Sequence, residues 1–402
     1  MDHVLFFFIF RISYYVIFVG LHIALMIGLF LEWLRERKTL GDAAGGGPAG
    51  SSSAEDELPV VSVIIPVHNE SSRIEKLLRS LEVQDYPRAE IIFVDDRSVD
   101  KSMEMIAAFI KKTGALYPGE GQGPKASTIT LTENPGPNHK QYALERGIEA
   151  SIGEFILFTD ADCEVPPLWI RGMVKRLSDR KIGAAIGPVL KRCGGKGFFH
   201  LYQCYEHGIR YVYLAGSTGL GAAGGGFGNN LIIRRAALDT VGGYSKVPPS
   251  PTEDAALIAK IRACSDYKIR AAIGSDVHVI TQGETRWRDM INQTLRWNNG
   301  GLFSPDPATR FNYNFLMITI SMGVLAFPLL PFIPSIWLLP LGPVTVMIFN
   351  TIANLGLFGV SLPRRSFSFG YALTLLFTPV YFTFMTILGF LGIKPNWKGE
   401  KL

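Results

Sequence analysis

The sequence predicts an α/β domain built on a parallel, doubly wound sheet and flanked by transmembrane helices. Three observations carry this reading. Short unbroken apolar runs alternate with helically spaced segments between residues 60 and 162, the pattern of strands buried on both faces with crossover helices between them. Two of those runs end in carboxylates. Long apolar stretches stand on both sides of the domain, and 48% of the 402 residues are hydrophobic.

The elements follow in chain order. Residues 12–34 carry no charge before Glu32 and exceed the roughly 20 residues that a spanning helix needs. A cleaved signal peptide is disfavoured, because the apolar run is too long for an h-region and no small-residue cleavage site follows directly. The Gly/Ser/Pro-rich stretch 41–59, GDAAGGGPAGSSSAEDELP, reads as a flexible tether, so residues 1–38 are expected to be a membrane anchor and 39–59 a linker. VVSVIIPV (60–67) reads as a strand, and residues 69–84 as a helix presenting Ile74, Leu77, Leu78 and Leu81. EIIFVDD (90–96) is the second strand. Residues 100–112 form the next helix, with Met103, Ile106, Ala107 and Ile110 on one face. A soft insert at 113–127 reads as a surface loop. STITLTE (127–133) is the third strand, HKQYALERGIEAS (139–151) a helix, and EFILFTDAD (154–162) the fourth strand. Sheets of this kind bind ligands at the carboxyl ends of their strands, the edge where both carboxylate pairs fall. The domain is expected to continue to residue 300 through a less regular region with aromatic clusters and a glycine run at 219–228.

Residues 301–402 are expected to supply about three further membrane helices. The apolar stretches are 315–360 and 369–393, the first broken by Pro328, Pro331, Pro334, Pro340 and Pro343. One of these segments can alternatively be re-entrant. Arg35, Arg37 and Lys38 follow the first span, and Arg364 and Arg365 lie between the last two. The positive-inside rule puts both clusters, and residues 39–312 with them, in the cytoplasm. The chain thus reads as an integral membrane protein with a cytoplasmic α/β domain, in the inner membrane if bacterial. The tail Lys394, Lys398 and Lys401 then falls outside if all three segments cross, which makes the last one the weakest assignment.

The net charge of +5 is accounted for by juxtamembrane Lys and Arg facing anionic lipid. No basic stripe with interleaved aromatics suggests nucleic acid. The cysteines Cys163, Cys193, Cys204 and Cys264 contain no CxxC pair, which argues against structural zinc and a disulfide framework. Isolated reduced thiols fit a cytosolic domain.

Several residues have chemistry to offer, each beside a bland alternative. Asp160 and Asp162 follow a buried strand, and two carboxylates at alternate positions can hold a divalent ion with open sites for diphosphate oxygens; the alternative is a solvated strand-end turn. Asp95 and Asp96 can accept from a uracil N3–H or a ribose hydroxyl, or simply form an Asx turn. His68 and Asn69 follow the first strand, where backbone groups can line a nucleotide. Lys140 opens a helix and can reach a diphosphate, or stay solvated. Glu253 and Asp254 precede an apolar helix; Thr252 as N-cap and the helix dipole explain acids there, while the functional reading makes Asp254 a general base. Asn229 and Asn230 follow a glycine loop that can approach a sugar closely, or be a mobile surface loop. Gln293, Arg296 and Trp297 lie at helical spacing, suited to a phosphate clamp and a stacked sugar; an interfacial amphipathic helix is the alternative. His139 and His278 lack ligand spacing.

The ordered set PVHNE, VDDRSVD, TDADCEVPP, GNNLIIRRAALDTVGGY, TED and QTLRW resembles the membrane-bound family-2 glycosyltransferases over residues 60–300, and the flanking spans match. The resemblance implies a GT-A fold, a Rossmann-like nucleotide-sugar-binding domain, and inverting transfer from a UDP-sugar, usually with Mg²⁺ or Mn²⁺. It assigns uridine binding to Asp96 with Asp95, the metal–diphosphate motif to Asp160 and Asp162, and the catalytic base to Asp254. It makes Gln293, Arg296 and Trp297 the donor or acceptor clamp. The run WNNGG after the last motif, and the modest number of spans, depart from long-chain polysaccharide synthases. The expectation is therefore hexose transfer, from UDP-glucose or a similar donor, to a lipid hydroxyl, with Asn229, Asn230 and Glu253 on the acceptor side. The alternative is a processive polysaccharide synthase.

Overall fold

Residues 2–44, 58–116, 125–135, 138–192, 197–358, 369–397 and 400–401 are described by the computed structural model of the protein. Most of the expected tether (39–59) and the middle of the expected surface loop (113–127) lie outside the described residues. In chain order the elements are α1 (Asp2–Ala44), β1 (Val61–Val67), α2 (Glu75–Leu81), β2 (Ala89–Asp95), α3 (Ser102–Leu116), β3 (Lys125–Thr130), α4 (His139–Ala150), β4 (Phe155–Phe158), β5 (Cys163–Glu164), α5 (Trp169–Lys175), β6 (Ile182–Ile186), β7 (Val189–Arg192), α6 (Phe198–Gly219), β8 (Leu231–Arg234), α7 (Arg235–Thr240), α8 (Glu253–Cys264), β9 (Lys268–Ala271), β10 (Val279–Gln282), α9 (Trp287–Leu302), α10 (Pro307–Ala326), α11 (Leu338–Phe358) and α12 (Phe369–Phe390). They fall into two compact units that interleave along the chain. An α/β unit comprises Leu31–Leu190 and Ala223–Gln282; a helical unit comprises Met1–Phe30, Lys191–Ala222 and Gly283–Leu402.

The α/β unit is built on a seven-stranded sheet of order β3-β2-β1-β4-β8-β6-β9. Its first half is parallel: β1 pairs with β2 and β4, and β2 with β3. The strands are where the unbroken Val/Ile/Phe runs predicted them, and Val63, Ile64, Ile65, Ile91, Phe93, Ile156 and Leu157 are buried. Each such side chain contributes about 1.5–3 kcal/mol on leaving water. Strand β3 closes this edge and is mostly exposed. Helix α4 lies tight on the sheet at Gly147, where a Cβ would come within 2.5 Å of Ile64 Cγ2 and 2.9 Å of Val94 Cγ2.

The second half, which draws β8 and β9 from the region expected to be less regular, is mixed in direction. Strand β8 runs antiparallel to both β4 and β6, with Phe158 opposite Leu231. That direction has a positional consequence. The start of β8, and the glycine loop before it, arrive at the edge where β4 ends. The chain passes from β1 outward to β2 and β3 and returns to β4 on the other side of β1, so β1 and β4 flank a topological switch point, the usual ligand crevice of such sheets.

The end of α1 belongs to this unit. Glu32 and Glu36, four residues apart, are buried. Glu32 pairs with Arg270 at 2.8 Å and accepts from the Ala271 N–H at 3.1 Å. Glu36 pairs with the buried Arg176, which also holds Asp276 at 2.5 Å.

Four stretches among the described residues are long and apolar enough to cross a membrane: Leu5–Gly41, Pro307–Leu329, Pro334–Phe358 and Ala372–Phe390. The prolines divide differently from expectation. Pro328, Pro331 and Pro334 lie in the break between α10 and α11, but Pro340 and Pro343 lie inside α11. Proline lacks an N–H and frees the carbonyl four residues earlier. Here that carbonyl, on Leu339, faces Gly323 of α10, where a Cβ would meet it at 2.7 Å and the Pro343 ring at 2.5 Å. Within the same unit α1 and α6 touch backbone to backbone through Gly28, Gly216 and Gly219, the small-residue packing that close helix pairs use in lipid. An aromatic core of Tyr202, Met290, Leu295, Tyr381 and Met385 joins α6, α9 and α12. The thiols depart from expectation at one position: Cys163 and Cys264 are free, but Cys204 is disulfide-bonded.

Candidate active site

The loops after β1, β2 and β4 and the loop before β8 meet at one edge of the sheet. The register sets this directly, since Val67 is opposite Asp95 and Phe158 opposite Leu231. Every sequence-predicted residue of the α/β unit lies on these loops, at the last position of β2, or on the first turns of α4 and α8.

Asp95 and Asp96 are buried at the end of β2. Asp95 accepts from the Ser98 N–H at 3.1 Å, and Asp96 pairs with Arg97 Nε at 2.9 Å. His68 Nδ1 is 2.5 Å from the Asp96 carbonyl, an arrangement that puts the proton on Nδ1. Asn69 and Arg97 are the only non-glycine residues with positive φ among the described residues, at 54° and 60°. Such backbone costs of order 1–3 kcal/mol and persists where its surroundings fix it. Asn69 supplies that fixing from both side chain and backbone: its Oδ1 accepts from the Val99 N–H at 2.9 Å and its backbone N–H donates to Ser98 Oγ at 3.0 Å. The turn also shortens the expected helix at 69–84, whose regular part is α2 alone.

Asp160 and Asp162 each face a cation. Lys140 Nζ is 2.7 Å from Asp160 Oδ1 and 3.6 Å from Glu253 Oε1. Arg73 is 3.9 Å from Asp162, which also accepts from Thr281 Oγ1 at 3.3 Å. Burial, then the charges of Asp160 and Glu70, push the Asp162 carboxyl up to about 6. Burial works against the Lys140 ammonium, but Asp160, Glu253 and Asp254 outweigh it and raise its pKa. Two carboxylates held in mutual repulsion, with only oxygen donors, fit a hard divalent cation. Among the described residues no group of three or more His, Cys, Asp and Glu side chains gathers into a metal cage.

Asp254 lies in the first turn of α8. Thr252 occupies the N-cap position but makes no side-chain capping bond, while Glu253 and Asp254 stand in the first turn, where the helix dipole favours acids. Asp254 Oδ2 accepts from the Gly228 N–H at 2.6 Å and Oδ1 from the Ala255 N–H at 2.8 Å. Burial and the neighbouring Glu253 raise its carboxyl above the ordinary range, against the opposing pull of Lys140. The seat is close at Gly228, where a Cβ would stand 3.1 Å from Asp254 Cβ. Glu253 is buried and 3.5 Å from Asn138 Nδ2.

The two asparagines separate. Asn229 is partly exposed, with Nδ2 3.5 Å from Cys163 Sγ. Asn230 is fully buried, accepts from Trp169 Nε1 at 2.9 Å and donates to Pro188 O and Val277 O at 2.8 Å each. Its amide is fully committed, which corrects the expectation that it meets an acceptor. Sequence reading missed Arg73 and Thr281, which become neighbours of Asp162 only through the fold.

Gln293, Arg296 and Trp297 lie on α9, in the helical unit. Gln293 accepts from Lys191 Nζ at 2.6 Å and donates to Glu284 at 3.0 Å. The Trp297 ring has Lys191 Nζ at 5.5 Å and the Arg210 guanidinium at 5.2 Å from its centroid, cation–π contacts with desolvated partners. His207 sits 5.5 Å away, and burial together with Lys191 and Arg210 holds it well below its usual pKa. Lys191, Arg210 and His207 carried no motif signal.

Comparison with known families decides the wider placement. A family model described as "Glycosyl transferase family group 2" matches residues 155–394, and one described as "Glycosyl transferase family 2" matches 62–242. The chain belongs to glycosyl transferase family group 2. A relative of this family-2 glycosyltransferase chain is the beta-monoglucosyldiacylglycerol synthase of Trichormus variabilis, 25% identical over 289 residues, 69% of this chain and 58% of that protein. Another is the undecaprenyl-phosphate 4-deoxy-4-formamido-L-arabinose transferase of Pseudomonas aeruginosa, 34% identical over 122 residues, 30% of this chain and 32% of that protein. The chain thus spans less than two thirds of the length of these relatives. Among solved structures it resembles a mannosyltransferase from Pyrobaculum calidifontis in complex with GDP-Man and Mn²⁺, with a TM-score of 0.53 and 18% identity over 96% of this chain and all of that one. The likeness shows the shared GT-A fold.

Proposed function

We propose that the protein transfers a hexose from a UDP-sugar, glucose or a close analogue, to a hydroxyl of a membrane lipid, with inversion. One observation carries the reading: Asp160, Lys140 and Glu253 form a continuous ion network that ends beside Asp254, all on the ligand edge of the sheet. Asp95 and Asp96, with the His68–Asn69 turn, receive the nucleoside. Asp254 takes the proton of the acceptor hydroxyl, whose oxygen attacks the anomeric carbon as the bond to the diphosphate breaks and its electron pair leaves with UDP. A single displacement inverts the anomeric centre. Asp160 and Asp162 would hold Mg²⁺ or Mn²⁺, which would supply charge neutralisation for the leaving diphosphate. A carboxylate buried enough to be basic, yet held by two backbone N–H groups, suits a general base.

The lipid acceptor is supported by two things. The four candidate spans give the protein a membrane to work in, and the relatives' names specify a diacylglycerol glycolipid and an undecaprenyl phosphate as their lipids. The basic clusters flanking the spans support a cytoplasmic α/β unit. The test is incubation of membranes containing the protein with labelled UDP- and GDP-sugars, then lipid extraction and chromatography. An organic-extractable glycolipid made from a UDP-sugar is expected. A high-mass polymer would make the protein a processive synthase instead, and release of no nucleoside diphosphate would overturn the reading. Asp254→Asn should abolish transfer while UDP binding persists; unchanged turnover would remove Asp254 from its role.

A further inference from the structure

The Lys140 ammonium stands where a positive charge is needed by both the donor and acceptor carboxylates. It lies 2.7 Å from Asp160 Oδ1 and 3.6 Å from the buried Glu253. It is fixed there by α4, whose N-cap Asn138 accepts from Gln141 N and donates to Ser250 O at 2.9 Å, tying α4 to the segment that precedes α8. Arg73 approaches the other carboxylate, Asp162, at 3.9 Å. The carboxylate pair is thus already counter-charged by the chain itself. A divalent cation arriving alone must displace the ammonium from Asp160 and then sit beside two like charges. A cation arriving with a diphosphate does not, because the phosphate oxygens give Lys140 a new partner as Asp160 is surrendered.

We propose that Lys140 is a resident counter-cation that competes with the divalent ion for Asp160, so that metal and nucleotide diphosphate bind cooperatively and neither binds well alone. The inference rests on the proposed metal role of Asp160 and Asp162. It makes Lys140 a positioning residue for donor loading rather than only one more diphosphate contact. The cooperativity must be reciprocal, since a metal that tightens UDP is tightened by UDP to the same extent.

The experiment titrates Mn²⁺ into the full-length protein in detergent, with and without saturating UDP, and reads bound metal by electron paramagnetic resonance. In the wild type UDP should strengthen Mn²⁺ binding by at least about five-fold, the lower end of ordinary coupling between sites. Lys140→Met should bind Mn²⁺ more tightly than the wild type in the absence of UDP and should lose most of the strengthening by UDP. Lys140→Arg, which keeps the charge, should retain both wild-type behaviours and covers the case in which the methionine variant does not fold. The proposal is overturned if Lys140→Met weakens Mn²⁺ binding without UDP, if its response to UDP equals that of the wild type, or if Lys140→Arg behaves like a loss of charge. If the wild type binds no Mn²⁺ even with UDP, the metal role of Asp160 and Asp162 fails first and the inference falls with it.

Discussion

Asn230 tests most directly how the glycine loop before β8 is used. Replacing it with alanine removes three hydrogen bonds from a fully buried site. The Pro188 carbonyl keeps a partner in the Val279 N–H at 3.1 Å. The buried Trp169 Nε1 and the Val277 carbonyl lose their bond to Asn230, and each buried group left unpaired costs about 1–3 kcal/mol. Together with the void left by the amide, the loss should be about 3–5 kcal/mol, a large part of the 5–15 kcal/mol by which domains are ordinarily stable. At roughly 2–4 °C per kcal/mol for a unit of this size, the melting midpoint of the detergent-purified protein should fall by about 10 °C. The assay is a fluorescence melt run beside lipid transfer at low temperature, where the folded fraction should keep its acceptor KM. A variant that melts like the wild type yet loses acceptor affinity would refute the reasoning and return Asn230 to the acceptor. Asn229→Ala, at the partly exposed neighbour, should shift the melt far less.

Three other outcomes follow from the same geometry. Asp254 must be ionised to act as a base, and its folded pKa is raised by burial and Glu253; kcat/KM should therefore fall on acidification at a pH above 3.8, the ordinary carboxylate value, and a pH–rate profile with its acid limb at or below that value would contradict the assignment. Arg176→Met leaves Glu36 and Asp276 without their buried partner and should destabilise the protein by about 3–5 kcal/mol, read by melting, with a partial return when Glu36→Gln is added. Gly216→Val would press a side chain into the Leu25 carbonyl, where a Cβ already comes within 2.5 Å, and should cost about 1–3 kcal/mol, measured as loss of monodisperse protein after detergent extraction.

The strands β1, β2 and β4 were legible because a sheet buried on both faces leaves its mark as consecutive Val, Ile, Leu and Phe. The carboxylates at their ends were legible for the same reason: the end of a strand is visible where the apolar run stops. The direction of β8 was not. LIIR has the same composition whichever way it runs, and only pairing with β4 fixes its sense. Asn229 and Asn230 look alike in sequence, and their separation into a half-exposed and a committed amide depends on Trp169, Pro188 and Val277, up to 61 residues distant. The regular part of α2 proved shorter than its spacing suggested because the N–H groups of residues 69–71 are tied to Ser98, Ser102 and Asp100 instead. Glu32 and Glu36 did carry a signal, two acids four residues apart at the end of an apolar helix, but nothing local names Arg176 and Arg270 as their partners.

The place of β8 in the sheet also bears on how the chain is made. It fills the gap between β4 and β6, yet it is synthesised after both, and after the long helix α6. About 70 residues separate the end of β4 from the start of β8, and about 45 separate the end of β6 from it, so at ~5–20 residues per second the exposed edge of β4 waits on the ribosome for roughly 4–14 s and that of β6 for roughly 2–9 s. Unpaired strand edges template wrong pairing. A nascent chain of this protein therefore passes through a window in which a chaperone, or early insertion of the helical segments, has to keep the half-built sheet from zipping onto a neighbour.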